Sequence, residues 1–174
     1  ARGLMNIRPA TTADMARLIE LFQKAIAYQR GFAPFFDLSA EFSWERFAKL
    51  KLSNRHERVF IAEADGAVLG YIDVRAIVPG QARSLKNFVG RIFQRRIAPS
   101  FARTGTVGWI EDCYVESQFR RQGIGAALVA YGLAWLRESG ADRIELATFA
   151  ANGSGKAFWE KQGFSAYRLL MSKG

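Results

Sequence analysis

The chain alternates between segments with helical and with extended hydrophobic spacing. Apolar residues recur every three or four positions in 12–28 and 124–138, as they do in amphipathic helices. Shorter runs rich in β-branched and aromatic residues are typical of strands. The predicted elements are a strand at 4–8, helices at 12–28 and 40–52, strands at 58–63, 68–77 and 106–115, a helix at 124–138, a strand at 143–148, a helix at 154–161 and a strand at 164–171. This order predicts a mixed α/β fold.

Turn and cap residues support these boundaries. Thr11 or Thr12 can cap the first long helix, because a hydroxyl oxygen accepts a hydrogen bond from the first helical turn. Asp65-Gly66 predicts a hairpin turn between two strands. Gly140 and Gly163 follow predicted helices at the position where glycine most often ends one.

Composition bounds the class of protein. The 174 residues are 49% hydrophobic, which is enough for one core, so we expect a single domain over 5–174. Residues 1–4 precede Met5 and are expected to be a remnant of an added leader. No apolar run is long enough to span a membrane, and no signal peptide pattern is present. The net charge of +9 favours an anionic partner, such as a nucleotide-like cofactor, a nucleic acid or a membrane surface.

The cysteine and histidine content limits the chemistry. Cys113 is the only cysteine, so no internal disulfide forms, which favours a cytoplasmic location. With a single histidine, His56, the chain cannot build a thiolate or imidazole zinc site, and we expect no metal. The two residues could form a nucleophilic pair only if folding brought them together.

A basic, glycine-rich turn lies between the strand at 106–115 and the helix at 124–138. Its sequence is Arg120-Arg121-Gln122-Gly123-Ile124-Gly125-Ala126. Glycine lets the backbone approach a ligand closely, and the first N–H groups of a helix have no intrahelical acceptor. The helix dipole and the arginines favour an anion there, so the turn predicts a phosphate site.

Two common phosphate-binding motifs fit this turn poorly. A P-loop requires a glycine-lysine-serine or threonine ending that the chain lacks. A dinucleotide fingerprint would use Gly123 and Gly125, but Leu128 fills its third glycine position. Glu145 does lie where a ribose-binding acid is expected, so this alternative stays open as a weak one.

Two motifs resemble the GCN5-related N-acetyltransferase (GNAT) family. The first is the turn from Arg120 to Ala126 behind Ile110-Glu111-Asp112-Cys113-Tyr114-Val115. The second is Asn152-x-x-Gly155-x-x-Phe158-Trp159-Glu160-Lys161-Gln162-Gly163-Phe164. The strand motif looks most like that of diamine and polyamine acetyltransferases.

The resemblance implies a fold and a cosubstrate. The fold would be a mixed, mostly antiparallel central sheet flanked by helices, and the cosubstrate would be acetyl-CoA. Backbone N–H groups of Arg121, Gln122, Gly123, Ile124, Gly125 and Ala126 would hold the pyrophosphate, with Arg120 at the mouth of the turn. The backbone of Cys113, Tyr114 and Val115 would pair with pantetheine, and one of its N–H groups would polarise the thioester carbonyl. Asn152 and Gly155 would contact the pantetheine arm or the adenosine side.

Glu111 is the candidate catalytic residue. An alkyl ammonium has a pKa of about 10.4, so a carboxylate must help to remove its proton at neutral pH. Regular alternation places Glu111 on one face with Trp109 and Cys113, and Asp112 on the other, unless a bulge mixes the faces. The family's usual base position favours Glu111, and a salt-bridged structural acid is the alternative.

Trp159 departs from the family pattern. Many members have a tyrosine there that can protonate the leaving thiolate, and an indole N–H is no useful acid. Water or another tyrosine such as Tyr114 could serve instead. Trp159 could equally be a core residue.

Two further segments could set specificity. The aromatic stretch 31–44, which also holds Asp37 and Glu41, suits a cationic amine, or it is ordinary packing between helices. The stretch 81–103 has a basic amphipathic pattern. It could dock a partner subunit, as in a homodimer, a membrane surface or an acidic macromolecule, or simply be a solvated helix face.

We therefore expect an acetyl-CoA-dependent N-acetyltransferase acting on a small primary amine. A polyamine, an amino acid derivative and an aminoglycoside-like compound are the acceptors considered. A peptide or protein amino group is an alternative acceptor, and an acyl-CoA-binding module without turnover is an alternative class. Nucleic-acid binding ranks low because no recognition motif is present.

Overall fold

A computed structural model describes residues 4–33, 38–78 and 105–171. The helices and strands it assigns there are β1 (Asn6–Pro9), α1 (Met15–Arg30), α2 (Trp44–Ser53), β2 (Glu57–Ala64), β3 (Ala67–Ile77), β4 (Thr106–Val115), α3 (Ile124–Glu138), β5 (Ala141–Leu146) and α4 (Gly153–Lys161). The strands form one sheet in the order β1-β2-β3-β4-β5. Neighbouring strands are antiparallel except for the parallel pair β4 and β5. This confirms the mixed α/β prediction.

Local capping explains where the helices begin. The predicted bounds of β4 and α3 match the structure at both ends. The Thr11 N–H donates to the Asp14 carboxylate (2.8 Å), and a short 3-10 turn, Thr12–Asp14, leads into α1. The second helix begins at Trp44 rather than 40, because the Ser43 hydroxyl accepts from the N–H of Arg46 and fixes the start there.

The predicted last strand at 164–171 is wrong. None of the strand pairs formed by the described residues includes this segment. The side chains of Tyr167, Leu169, Leu170 and Met171 are all more than half exposed. A strand-like pattern cannot by itself supply a hydrogen-bonding neighbour. The basic stretch 81–103 and residues 34–37 lie outside the described residues.

Apolar side chains cover the sheet on both faces. One cluster joins α3, through residues such as Leu128 and Leu136, to Ile72 and Ile110 of the sheet. The other joins α1 and α2 to the opposite face, where Phe22 packs edge-on against Tyr71. Among the described helices, none has both the length and the apolar character needed to cross a bilayer.

Candidate functional site

One cavity of about 560 Å³ brings the two sequence motifs together. It lies between β4, the start of α3, α4 and the helices α1 and α2. The predicted residues that line it are Glu111, Cys113, Tyr114, Val115, Arg120, Arg121, Gly123, Ile124, Gly125, Ala126, Asn152 and Gly155. Gln122 does not line it, and its amide instead donates to the Gln118 carbonyl (3.3 Å).

The cavity follows an open edge of β4. The parallel pairing of β4 with β5 ends at Ile110 and Leu146, so no described strand covers this edge beyond Ile110. The Glu116 N–H donates to Leu69 of β3 (3.0 Å), and antiparallel hydrogen bonding alternates along a strand. The backbone groups of Cys113 and Val115 therefore point away from β3, toward the open edge.

Two of these edge groups already have partners. The Cys113 N–H donates to Oδ1 of Asp112 (2.9 Å), and Nε of Arg120 donates to the Val115 carbonyl (2.9 Å). The Arg120 guanidinium also lies 4.9 Å from the ring of Tyr28 and 5.4 Å from that of Tyr114. Arg120 is therefore held against the strand, whereas Arg121 is exposed beside the turn.

The turn before α3 has the geometry of an anion site. Gly123 adopts a φ of 81°, a left-handed conformation that favours glycine. Within the part of the chain that the structure describes, no side chain caps α3, so its first N–H groups remain available to a ligand. A Cβ at Gly125 would lie 3.3 Å from the ring of Phe158, a tight contact that the ring would have to relieve by a small shift.

Asn152 caps α4 at the far wall of the cavity. Its Oδ1 accepts from the N–H of Gly155 (2.9 Å), and a Cβ at Gly155 would collide with the Asn152 amide. The Tyr28 hydroxyl lies 3.3 Å from Oγ of Ser154, which links α1 to α4 across the cavity. Asn152 and Gly155, which the sequence predicted as ligand contacts, thus also form the wall of the cavity.

A bulge places Glu111 in the strand. Asp73 of β3 pairs with Asp112, and the next residue of β3, Val74, pairs with Ile110, which leaves Glu111 without a partner. Regular alternation is consequently wrong for β4, and the bulge considered as an alternative is present. Ile110 and Cys113 both pack with the cluster under α3.

Glu111 forms an ion pair with Arg75 of β3. The Arg75 side chain is 2% exposed and the Glu111 side chain 12% exposed, so the pair is nearly buried. A positive neighbour favours the ionised form of a carboxylate. Arg75 therefore places a positive charge beside the Glu111 carboxylate at the wall of the cavity.

Asp112 is fully hydrogen-bonded. Its Oδ2 accepts from the Tyr71 hydroxyl, and its Oδ1 accepts from Gln29 (3.3 Å) as well as from Cys113. Burial raises the pKa of Asp112, although the hydrogen bond from Tyr71 opposes this. Burial also raises the pKa of the Cys113 thiol, which makes the thiol a poor nucleophile. The ring of His56, the other residue of the nucleophilic pair considered from the sequence, contacts the side chain of Arg55.

A buried charge network continues from this site to α2. Nζ of Lys51 contacts Glu57 and lies 2.6 Å from Oδ2 of Asp73. Asn54 donates to the second oxygen of Glu57 (3.1 Å). Burial raises the pKa of Asp73 to about 7, against the attraction of Lys51. Sequence reasoning missed these residues, although Asp73 and Arg75 interrupt an otherwise apolar strand and could have signalled a polar face.

Trp159 packs among aromatic rings at the same wall. Its ring centroid lies 4.9 Å from Phe158 and 5.6 Å from Phe164. It also packs against the cluster under α3 and lines the cavity. The structure therefore gives it a packing role.

Comparison with known proteins defines the class. The model of the acetyltransferase (GNAT) family matches residues 15–164. The chain belongs to this family, whose members are acetyl-CoA-dependent transferases.

Curated relatives share its sequence at a low level. A protein of Methanocaldococcus jannaschii named as an uncharacterized N-acetyltransferase is 24% identical over 166 residues, which are 95% of this chain. The chain spans only 62% of the length of that relative. A Bacillus subtilis protein with the same kind of name is 24% identical over 162 residues, and the match covers 92% of this chain and 89% of the relative.

Solved structures share the fold. An aminoglycoside N-acetyltransferase in complex with CoA is 18% identical, with a TM-score of 0.71, and the match covers 100% of this chain and 96% of that one. A mutant Bacillus halodurans protein, also 18% identical, has a TM-score of 0.74 and covers 97% of this chain and 98% of its own.

Proposed function

We propose that the chain transfers the acetyl group of acetyl-CoA to a primary amine of a small molecule. The observation that carries this proposal is a single cavity that joins two different surfaces. One is the open edge of β4 with the uncapped start of α3. The other is a wall of aromatic rings from α1, α2 and β3 beside the carboxylates of Asp73, Glu111 and Asp112.

The first surface fits CoA, which would bring an acetyl thioester to the cavity. The N–H groups from Arg121 to Ala126, with the exposed Arg121 side chain, suit a pyrophosphate. The two edge groups of Cys113 to Val115 that the hydrogen bonds to Asp112 and from Arg120 leave, the Cys113 carbonyl and the Val115 N–H, suit the amides of pantetheine, because an extended amide chain can pair with a strand edge. Arg120 keeps that edge in place through the Val115 carbonyl.

The second surface suits a cationic amine. Carboxylates attract an ammonium, and aromatic rings such as those of Phe22, Trp44 and Phe47 accept a cation on their faces. The aminoglycoside N-acetyltransferase of similar fold supports a small, cationic acceptor. A cavity bordered by four helices favours a small molecule over a folded protein surface.

Acetyl transfer would proceed by direct attack. The ammonium first loses a proton, and its nitrogen then forms a bond to the thioester carbonyl carbon. The carbon–sulfur bond breaks with the electron pair leaving on sulfur, and the nitrogen loses a second proton to solvent as the neutral amide forms. Glu111 is the proposed proton acceptor, directly or through a water. Arg75, which contacts this carboxylate, would orient it. The thiolate leaves without an acid from Trp159, since a thiolate is a good leaving group.

A screen for CoA release tests the proposal. Purified protein is given acetyl-CoA with small amines, polyamines, aminoglycosides and peptides, and free thiol is measured. We expect release with small cationic amines. Release only with peptides would support a peptide acetyltransferase. Tight CoA binding without release would support the acyl-CoA-binding module that Trp159 suggests.

Three further features belong to this proposal. A single catalytic domain over 5–174 is consistent with the family match from 15 to 164. A cytoplasmic location is consistent with the free Cys113. A homodimer remains a prediction that sedimentation analysis can test.

A further inference from the structure

Asp73 has a carboxylate oxygen that nothing in the described structure satisfies. Its side chain is 2% exposed and lines the cavity. Oδ2 contacts Lys51, but Oδ1 is buried without a hydrogen-bond partner among the described residues. An unpaired buried acceptor is energetically unfavourable. A ligand that brings a donor to Oδ1 would recover that cost.

The charges around Asp73 favour a cation. The groups that face it come from α2 and from β2, β3 and β4, and they are Lys51, Glu57, Tyr71, Arg75 and Asp112. Together with Glu111, this network holds four carboxylates and two basic side chains. The network thus has more acidic than basic side chains around the unpaired Oδ1 of Asp73.

The position of Asp73 separates it from the reacting amine. Asp73 and Asp112 are direct partners across β3 and β4. The open edge lies on the other side of β4 from β3. Asp73 is thus about 5 Å farther from that edge than the β4 backbone is, which is one strand spacing. A group bound at Asp73 therefore lies farther from the open edge than a group bound to the β4 backbone.

We propose that Asp73 determines acceptor specificity by binding a second, non-reacting cationic group of the acceptor. This inference rests on the proposed function and goes further, because it requires an acceptor with two cationic groups. An ammonium provides both the N–H donor that Oδ1 lacks and the charge that the network accepts. The aromatic rings that line the cavity offer an apolar surface to the aliphatic chain between the two cations.

Matched acceptors test the inference. Putrescine and butylamine have the same carbon chain and differ in the second amine, as do cadaverine and pentylamine. We expect kcat/KM for each diamine to exceed that for its monoamine by about ten- to hundredfold, the range for a hydrogen bond to a charged group. In Asp73→Asn this ratio should fall toward one, mainly through KM for the diamine.

Glu57→Gln is the matched control. Glu57 contacts the same lysine and is buried, but it does not line the cavity. It should lower the thermal unfolding temperature without changing the diamine-to-monoamine ratio. A ratio that persists in Asp73→Asn, or that collapses equally in Glu57→Gln, would overturn the inference.

A separate measurement distinguishes failure of this inference from failure of the proposed function. If the protein acetylates none of these amines, acetyl transfer to small amines is wrong. Calorimetric binding of putrescine and butylamine to the CoA-bound protein then decides the inference alone. Preferential putrescine binding that Asp73→Asn abolishes supports it, and equal binding of both amines rejects it.

Discussion

Replacing Arg75 with methionine should destabilise the protein strongly, because it leaves Glu111 charged and nearly buried. The two side chains are 2% and 12% exposed and form an ion pair across β3 and β4. Methionine fills a similar volume, so the main change is the loss of the positive charge. Methionine is used rather than lysine, because lysine would keep the positive charge and lose only the planar guanidinium.

The expected cost follows from the burial of the pair. Removing one partner of a buried ion pair costs about 3–5 kcal/mol. Glu111 keeps some contact with the cavity, so we expect a value near the lower end, about 3 kcal/mol. The double variant Arg75→Met, Glu111→Gln removes the stranded charge and should recover about 2 kcal/mol of that loss.

Urea unfolding of the wild type, both single variants and the double variant measures these differences. Lys49→Met is the control, since Lys49 and Glu45 form an exposed pair whose loss should not measurably change stability. A cost below about 1 kcal/mol for Arg75→Met, or a double variant no more stable than that single one, would refute the argument.

Three other predictions follow from the site. Glu111→Gln should lower the acetylation rate far more at neutral pH than at high pH, and equal loss at both would reject Glu111 as the base. Gly123→Ala and Gly140→Ala place alanine at the same φ of 81°, so each should cost about 1–2 kcal/mol. Only Gly123→Ala should also weaken acetyl-CoA binding measured by calorimetry, and equal binding by both variants would argue against a phosphate site at the turn. The folded Asp73 carboxyl keeps its proton up to a pKa of about 7, whereas the unfolded one loses it near 3.8. Wild-type stability relative to Asp73→Asn should therefore fall as pH rises between those values, and unfolding curves showing a rise would contradict the raised pKa.

The sequence was most informative where local signals agree. The strand β4 and the helix α3 were predicted to the residue, because an apolar run, a glycine turn and a helical repeat follow one another directly. The segment 164–171 has a strand-like pattern too, but whether it pairs depends on a neighbour that a single pattern does not specify.

The candidate site was predictable only in part for the same reason. Glu111 and the turn are contiguous with the motif, and the structure places them on one cavity. The ion pair with Arg75 and the unsatisfied oxygen of Asp73 arise from pairing between β3 and β4. Their register, including the bulge, depends on contacts far apart in the sequence.

The bulge in β4 makes Glu111 an extra residue in a strand that is otherwise regular. Ile110 and Asp112 keep the faces they would have if Glu111 were absent, because the extra residue is accommodated locally. Deletion of Glu111 would leave both packed faces of the sheet unchanged. Only Arg75 would lose its ion-pair partner. Evolution could therefore gain or discard this carboxylate, together with its arginine, without rebuilding the core. The proposed proton acceptor is thus attached to the scaffold through two side chains, Glu111 and Arg75, and not through the packed core.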